Sequence, residues 1–268
     1  MPTKLSVNVN KIAVLRNSRG GLEPDVLKAV DTIIQAGAQG ITVHPRPDLR
    51  HIKAADVLAI AEALPAQIEF NIEGNPLAPA NQHYPGLLEL LAQTRPAQVT
   101  LVPDTDGQIT SDHGFDPKAL PNQLAAWIAK ARAFGCRISV FVDAELAVDD
   151  DALKAFRDIG CDRIEIYTGP FAAECAQGGG VQRALIQKLC EQAEKLGLGV
   201  NAGHDLAQSN VRALLEAAPS IAEVSIGHAL ISEALYDGLC TTVRRYLELI
   251  QLAQASQTSS SAIAKEAV

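Results

Sequence analysis

Aromatic residues are scarce: one Trp, four Tyr and six Phe stand in 268 residues, so aliphatic side chains must fill the core. Cysteine is sparse and unpatterned. The five residues Cys136, Cys161, Cys175, Cys190 and Cys240 are odd in number and show no C-x-x-C spacing. That excludes a disulfide framework or zinc ribbon and leaves reduced thiols as the expectation. Positive charge is in deficit, with 23 Lys and Arg against 31 Asp and Glu, a net −8. A general nucleic-acid binder normally shows the opposite balance, so no nucleic-acid partner is expected. No apolar run reaches the ~18 residues of a membrane span. The stretch Met1–Val7 lacks the apolar core of a secretory leader, which points to a cytoplasmic protein. No G-x-G-x-x-G follows the first strand-like run, which argues against a dinucleotide-binding sheet.

What is present is regular alternation. Strand-like runs fall at Leu5–Val9, Gly40–His44, Gln67–Ile72, Gln98–Val102, Arg137–Val142, Arg163–Tyr167, Gly199–Ala202 and Glu223–Ile226. Their Val and Ile content reads as parallel strands buried on both faces. Amphipathic helical segments lie between them, among them Pro24–Ala36, Ala54–Leu64, Pro121–Phe134, Val181–Leu196 and Leu239–Gln254. Gly135, Gly160 and Gly197 mark helix ends. Eight strand–helix units in a chain of this length predict one α/β domain, a (β/α)8 TIM barrel with extra helices over residues 1–254. A doubly wound sheet is the rival architecture. The Gly-rich stretch Glu174–Gly180 reads as a mobile loop, and the Ser/Gln/Ala-rich stretch 255–268 as a disordered tail.

Barrels carry their chemistry at the C-terminal ends of the strands. The polar residues there include Asn8, Asn10, Arg16, Arg19, His44, Arg46, His51, Glu73, Asp104, Thr110, Asp143, Glu165, Tyr167, Asn201, His204, Ser225 and His228. Four of the six histidines, His44, His51, His204 and His228, are in this set. Imidazole moves protons near neutral pH, and a Glu between buried strands can be tuned toward that range. His44, Glu73 and His204 therefore read as an acid/base set around one cavity. Ala202-Gly203-His204-Asp205 and Ile226-Gly227-His228 read as phosphate loops, the second opening a helix whose free N–H groups favour anions. Arg46 to His51 offers a second anion site. Convergence of His44, His204 and His228 on a metal is the alternative. None of the cysteines sits squarely at the C-terminal end of a strand, as a nucleophile would.

The segments Asn8–Gly20, Gly40–Arg46, Arg50-His51-Ile52, Asn71-Ile72-Glu73, Leu101-Val102-Pro103, Ile164–Gly169, Val200–His204 and Ile226-Gly227-His228, in this order, resemble the pyridoxine 5′-phosphate synthase family. The resemblance runs from about Leu5 to Leu252. It implies condensation of 3-amino-2-oxopropyl phosphate with 1-deoxy-D-xylulose 5-phosphate to pyridoxine 5′-phosphate, phosphate and water, without metal or organic cofactor. His44 and Glu73 would be proton acceptors and His204 a proton donor. Asn8 and Arg19 would contact the aminoketone phosphate, whose phosphate Asp205, Gly227 and His228 would cradle. Arg46, His51 and Thr110 would hold the deoxyxylulose phosphate. A homo-octamer is also implied. The chain has Asn10-Lys11 where many members have Asp-His, and Asp205 where many have Gly. Two other functions are open on the residues alone. A phosphosugar aldolase of the Schiff-base type would need a strand-end Lys, which is missing. A non-enzymatic vitamer-binding protein would not need the His44, Glu73 and His204 set.

Overall fold

The computed structural model describes residues 2–105, 107–120 and 122–266, the stretch 258–266 by its backbone alone. Eight parallel strands close in sequence order into one barrel: β1 (Lys4–Asn8), β2 (Gly40–Val43), β3 (Glu69–Gly74), β4 (Gln98–Leu101), β5 (Arg137–Asp143), β6 (Arg163–Tyr167), β7 (Gly199–Gly203) and β8 (Ile221–Ile226). The barrel expected from the alternation is thus the fold. The strands differ from the expected apolar runs in one respect, because they alternate. Leu5, Val7, Ile41, Val43, Phe70, Ile72, Val99, Leu101, Ile138, Val140, Ile164 and Ile166 are buried beneath the helices. The intervening residues point inward and are largely polar. Thr100 on β4 donates to Glu165 on β6 at 3.1 Å, and Asn201 on β7 donates to Gln98 on β4 at 3.3 Å. Bonds that skip intervening strands in this way must cross the barrel interior. The usual branched aliphatic filling of such barrels is replaced here by a hydrogen-bonded polar one.

The helices are α1 (Asn10–Arg19), α2 (Val26–Gln35), α3 (Ala54–Ala63), α4 (Leu87–Thr94), α5 (Leu124–Arg132), α6 (Ala152–Asp158), α7 (Gly169–Gln177), α8 (Val181–Lys195), α9 (Val211–Ala217), α10 (His228–Asp237) and α11 (Leu239–Glu266). The expected start of one helix at Pro121 falls outside the described residues, and α5 begins at Leu124. Two helices were not legible. In α1 only Ile12 and Ala13 are buried, so it carries no apolar stripe to read. The expected mobile loop Glu174–Gly180 is helical through Gln177. Pro170 sits in the first turn of α7, and the Glu174 carboxylate caps α8 by accepting from the amides of Val181 (2.5 Å) and Gln182 (2.6 Å).

At the C-terminus, α11 runs on through the stretch expected to be a disordered tail. Val243, Tyr246, Ile250 and Ala253 bury one face of the helix, and the Gln257 amide donates to the Leu215 carbonyl at 2.7 Å. The stretch after Ala255 has neither Pro nor Gly to stop the helix before Glu266. Ala267 and Val268 lie outside the described residues. The five cysteines are free, and burial pushes Cys190 up to about 11 and Cys161 up to about 12. Among the described residues, no helix is long and apolar enough to cross a membrane.

Candidate active site

The C-terminal ends of the strands open into a cavity of about 560 Å³. Asn8, His44, Arg46, His51, Glu73, Thr110, His204, Asp205, Gly227 and His228 all line it. Ten of the expected site residues therefore meet in one place. Arg19 does not. It is the last residue of α1, exposed to solvent, and it is not part of the cavity wall.

On one side stand Glu73 and His44. Glu73 is on β3, and its Oε2 accepts from Asn8 Nδ2 at 3.3 Å and lies 3.6 Å from His44 Nδ1. The backbone around them is tied by Asn10, whose side-chain oxygen accepts from the His44 amide at 2.9 Å. Lys11, next to it on α1, lines the cavity. His51 is buried nearby, its ring centroid 6.1 Å from that of His44. Burial first, and then the neighbouring His44, Arg46, Lys11 and Arg50, push its pKa down to about 3. His51 is thus a neutral imidazole, with Nδ1 buried and unpartnered.

On the other side stands His204. In a ring of eight strands β3 and β7 are four apart, so Glu73 and His204 approach the cavity from opposite walls. His204 Nε2 shares a 2.7 Å hydrogen bond with Thr110 Oγ1, and Tyr167 packs edge-on against the ring at 5.1 Å. His204 and Asp205 both have positive φ, 75° and 54°. Such backbone costs roughly 1–2 kcal/mol for a residue with a Cβ, and it clusters at functional turns. Thr168 holds the turn by donating to the Gly203 and His204 carbonyls, as does Asn210 to Asp205. The Asp205 carboxyl is held below its usual range, chiefly by His204, whose Nδ1 lies 3.1 Å from it. A phosphate in this loop would thus meet a carboxylate as well as backbone N–H groups.

At the second segment expected to bind phosphate, Gly227 precedes α10, which begins at His228. A Cβ on Gly227 would stand 3.0 Å from Asn8 Cβ, so the close approach of the two loops favours glycine. At the Arg46 site the guanidinium already has protein partners. Its Nη2 lies 2.5 Å from Asp104 Oδ2, and Arg50 donates to the carbonyls of Gln108 (2.7 Å) and Ile109 (2.8 Å). The loop after β4 is thereby drawn over the cavity.

Two residues gain weight only here. Glu165, mid-strand on β6, is wholly buried at the cavity floor. Burial first, then the neighbouring Glu73 and Glu223, raise its pKa well above the usual glutamate range, opposed by the Thr100 hydrogen bond. Gly203 makes room for it, since a Cβ there would lie 2.4 Å from Glu165 Oε1. Asp104, at the start of the loop after β4, touches both Arg46 and His44. Both were visible as strand-end polar residues, but nothing in their spacing separated them from the others. Among the described residues no group of three or more His, Cys, Asp or Glu is placed to hold a metal, so His44, His204 and His228 do not converge.

Residues 5–252 match the family described as pyridoxal phosphate biosynthesis protein PdxJ. The chain is 56% identical over 257 residues to the pyridoxine 5′-phosphate synthase of Xanthomonas oryzae pv. oryzae (strain PXO99A), covering 95% of this chain and 99% of that one. It is 54% identical over 252 residues to the pyridoxine 5′-phosphate synthase of Xylella fastidiosa (strain 9a5c), covering 92% and 95%. Among solved structures it resembles tryptophan synthase from M. tuberculosis (TM-score 0.62, 12% identity, 93% and 94% covered). It also resembles phosphoribosyl anthranilate isomerase from Thermotoga maritima (TM-score 0.57, 11% identity, 93% and 98% covered). At such identities these two establish the shared barrel alone.

Proposed function

The chain belongs to the PdxJ family of pyridoxal phosphate biosynthesis proteins, and from that premise we propose that it is a pyridoxine 5′-phosphate synthase. It condenses 3-amino-2-oxopropyl phosphate with 1-deoxy-D-xylulose 5-phosphate, releasing pyridoxine 5′-phosphate, phosphate and water. The observation that carries the reading is the placement of Glu73 and His44 on one wall of a single cavity and His204 on another.

The chemistry consists of proton transfers. Amine and ketone first condense to an imine with loss of water, and phosphate loss, enolisation and ring closure follow. Each step moves a proton to or from carbon, nitrogen or oxygen, so no metal or organic cofactor is needed. His44 and Glu73 act as proton acceptors, and His204, across the cavity, as the donor. Asn8, which lines the cavity, orients Glu73 and contacts the aminoketone phosphate, whereas Arg19 lies outside the cavity wall. The backbone N–H groups at Asp205, Gly227 and His228 receive its phosphate. Arg46, neutral His51 and Thr110 hold the deoxyxylulose phosphate. Holding two reactants in register supplies much of the rate. Assembly into a homo-octamer, in the cytoplasm, is what the family resemblance implies.

Incubating the purified protein with both phosphorylated substrates, and with each alone, tests the reading. Pyridoxine 5′-phosphate and inorganic phosphate should form in equal amounts only when both are present. Absence of product under conditions where both substrates bind would overturn it.

A further inference from the structure

Asp104 stands on the first residues of the loop after β4, its side chain 7% exposed. One oxygen, Oδ2, gathers three contacts. It lies 3.2 Å from His44 Nε2 and 2.5 Å from Arg46 Nη2, and it accepts from the Ser111 hydroxyl at 3.1 Å. The backbone is pinned as well, since Asn75 Nδ2 donates to the Asp104 carbonyl at 2.6 Å. The carboxylate is therefore fixed in place against one nitrogen of the His44 ring. The other nitrogen, Nδ1, faces Glu73 at 3.6 Å.

A neutral imidazole carries its proton on one nitrogen only, and the partner of each nitrogen decides which. A carboxylate accepts and does not donate. Facing Nε2, Asp104 favours a proton there and repels a bare lone pair. Glu73 faces Nδ1 from farther off, 3.6 Å against 3.2 Å, so the nearer carboxylate draws the proton to Nε2 and Nδ1 is left as the basic atom. The charged and titratable groups around the ring are Glu73 from β3, Asp104 from the β4 loop, Arg46 and His51 from the β2 loop, and Lys11 from α1. His51 is neutral, and Arg46 shares the Asp104 charge.

We propose that Asp104 is a positioning residue for the condensation, holding the His44 ring as the Nε2–H tautomer so that Nδ1 is the base. The proposal rests on the reading of His44 as a proton acceptor. It also gives the β4 loop a double task. The loop orients His44 through Asp104 and His204 through Thr110, so its closure aligns base and acid together.

The tautomer is read directly by ¹⁵N NMR of the full chain labelled at histidine, with His44 assigned by loss of its signals in His44→Asn. The wild type should show a protonated Nε2 and a bare Nδ1 for His44. In Asp104→Asn the negative charge beside Nε2 is lost while the Glu73 carboxylate still faces Nδ1, so the proton should move to Nδ1. Turnover should then fall about 10²–10⁴-fold in kcat. The acid limb of the kcat–pH profile should move to lower pH, because the imidazolium has lost its carboxylate. Asp104→Glu should restore the wild-type tautomer and part of the rate. Thermal melts check that each variant is folded. A wild-type tautomer and unshifted pH profile in folded Asp104→Asn would overturn the proposal, whatever the rate. Normal turnover in His44→Asn would instead overturn the reading of His44 as the base, while the spectra still decide what Asp104 does.

Discussion

Thr110 and His204 are joined by a 2.7 Å hydrogen bond between hydroxyl and imidazole Nε2, although 94 residues separate them in the chain. The bond ties the loop after β4 to the loop after β7 above the cavity. Arg50 adds a second tie to the same β4 loop through the Gln108 and Ile109 carbonyls. An imine between two small phosphates hydrolyses if left open to water, so a cover here has a specific chemical use.

Thr110→Val keeps the shape and removes the bond. A net hydrogen bond contributes about 0.5–1.5 kcal/mol, so kcat should fall roughly 2–10-fold. Amide hydrogen exchange over residues 107–114 should slow when deoxyxylulose phosphate binds and quicken in Arg50→Ala. Equal exchange with and without demonstrably bound substrate would reject the lid.

Glu73→Gln preserves an acceptor for Asn8 but removes the base. Turnover should drop about 10²–10⁴-fold with the melting temperature little changed. A folded variant with the normal rate would show that Glu73 is not the base.

Gly227→Ala places a methyl 3.0 Å from Asn8 Cβ and 3.3 Å from the Asn8 carbonyl. Its φ of −125° lies outside the left-handed region, so the barrel should fold and the damage should stay local. KM for the aminoketone phosphate should rise several-fold, and a crystal grown with phosphate should show the anion at the Gly227 and His228 amides in the wild type. Unchanged steady-state kinetics in the variant would count against this loop as the phosphate site.

Glu223 sits at the other end of the barrel, almost wholly buried, where Asn201 donates to it at 3.4 Å. Burial first, then Glu69, push it up to about 7, against the pull of Arg163, Arg137 and Lys4. A group whose folded pKa is raised contributes stability that is full below its unfolded value, about 4.5, and lost as pH rises through about 7. Wild type should lose on the order of 2–3 kcal/mol relative to Glu223→Gln between those limits. Urea titrations of both proteins across that range measure the difference, and parallel pH curves would contradict the assignment.

Strand and helix positions were legible where periodicity or a stop residue marked them. The helix stops expected at Gly135, Gly160 and Gly197 are borne out, each in left-handed backbone at φ 89°, 94° and 73°. The reading failed where local signals were weak or competed. Helix α1 buries too little to show a stripe, and the glycines of Gly178–Gly180 masked the helix just before them. The strands were read as apolar runs buried on both faces and their inward polar residues went unrecognised, because polar side chains on a strand ordinarily face water rather than a barrel interior.

The sequence by itself determined the barrel and most of the residues at its mouth. The alternation that builds parallel strands also puts strand ends on one face, so a polar residue after a strand is already a site candidate. Only the tertiary structure decided how those candidates combine. Closure sets Glu73 opposite His204, brings Asp104 to His44, leaves Arg19 outside the cavity, and buries Glu165 beside Glu73. Distances across a barrel depend on how the strands close, and proton affinities on burial and neighbouring charge. Neither is a function of spacing along the chain.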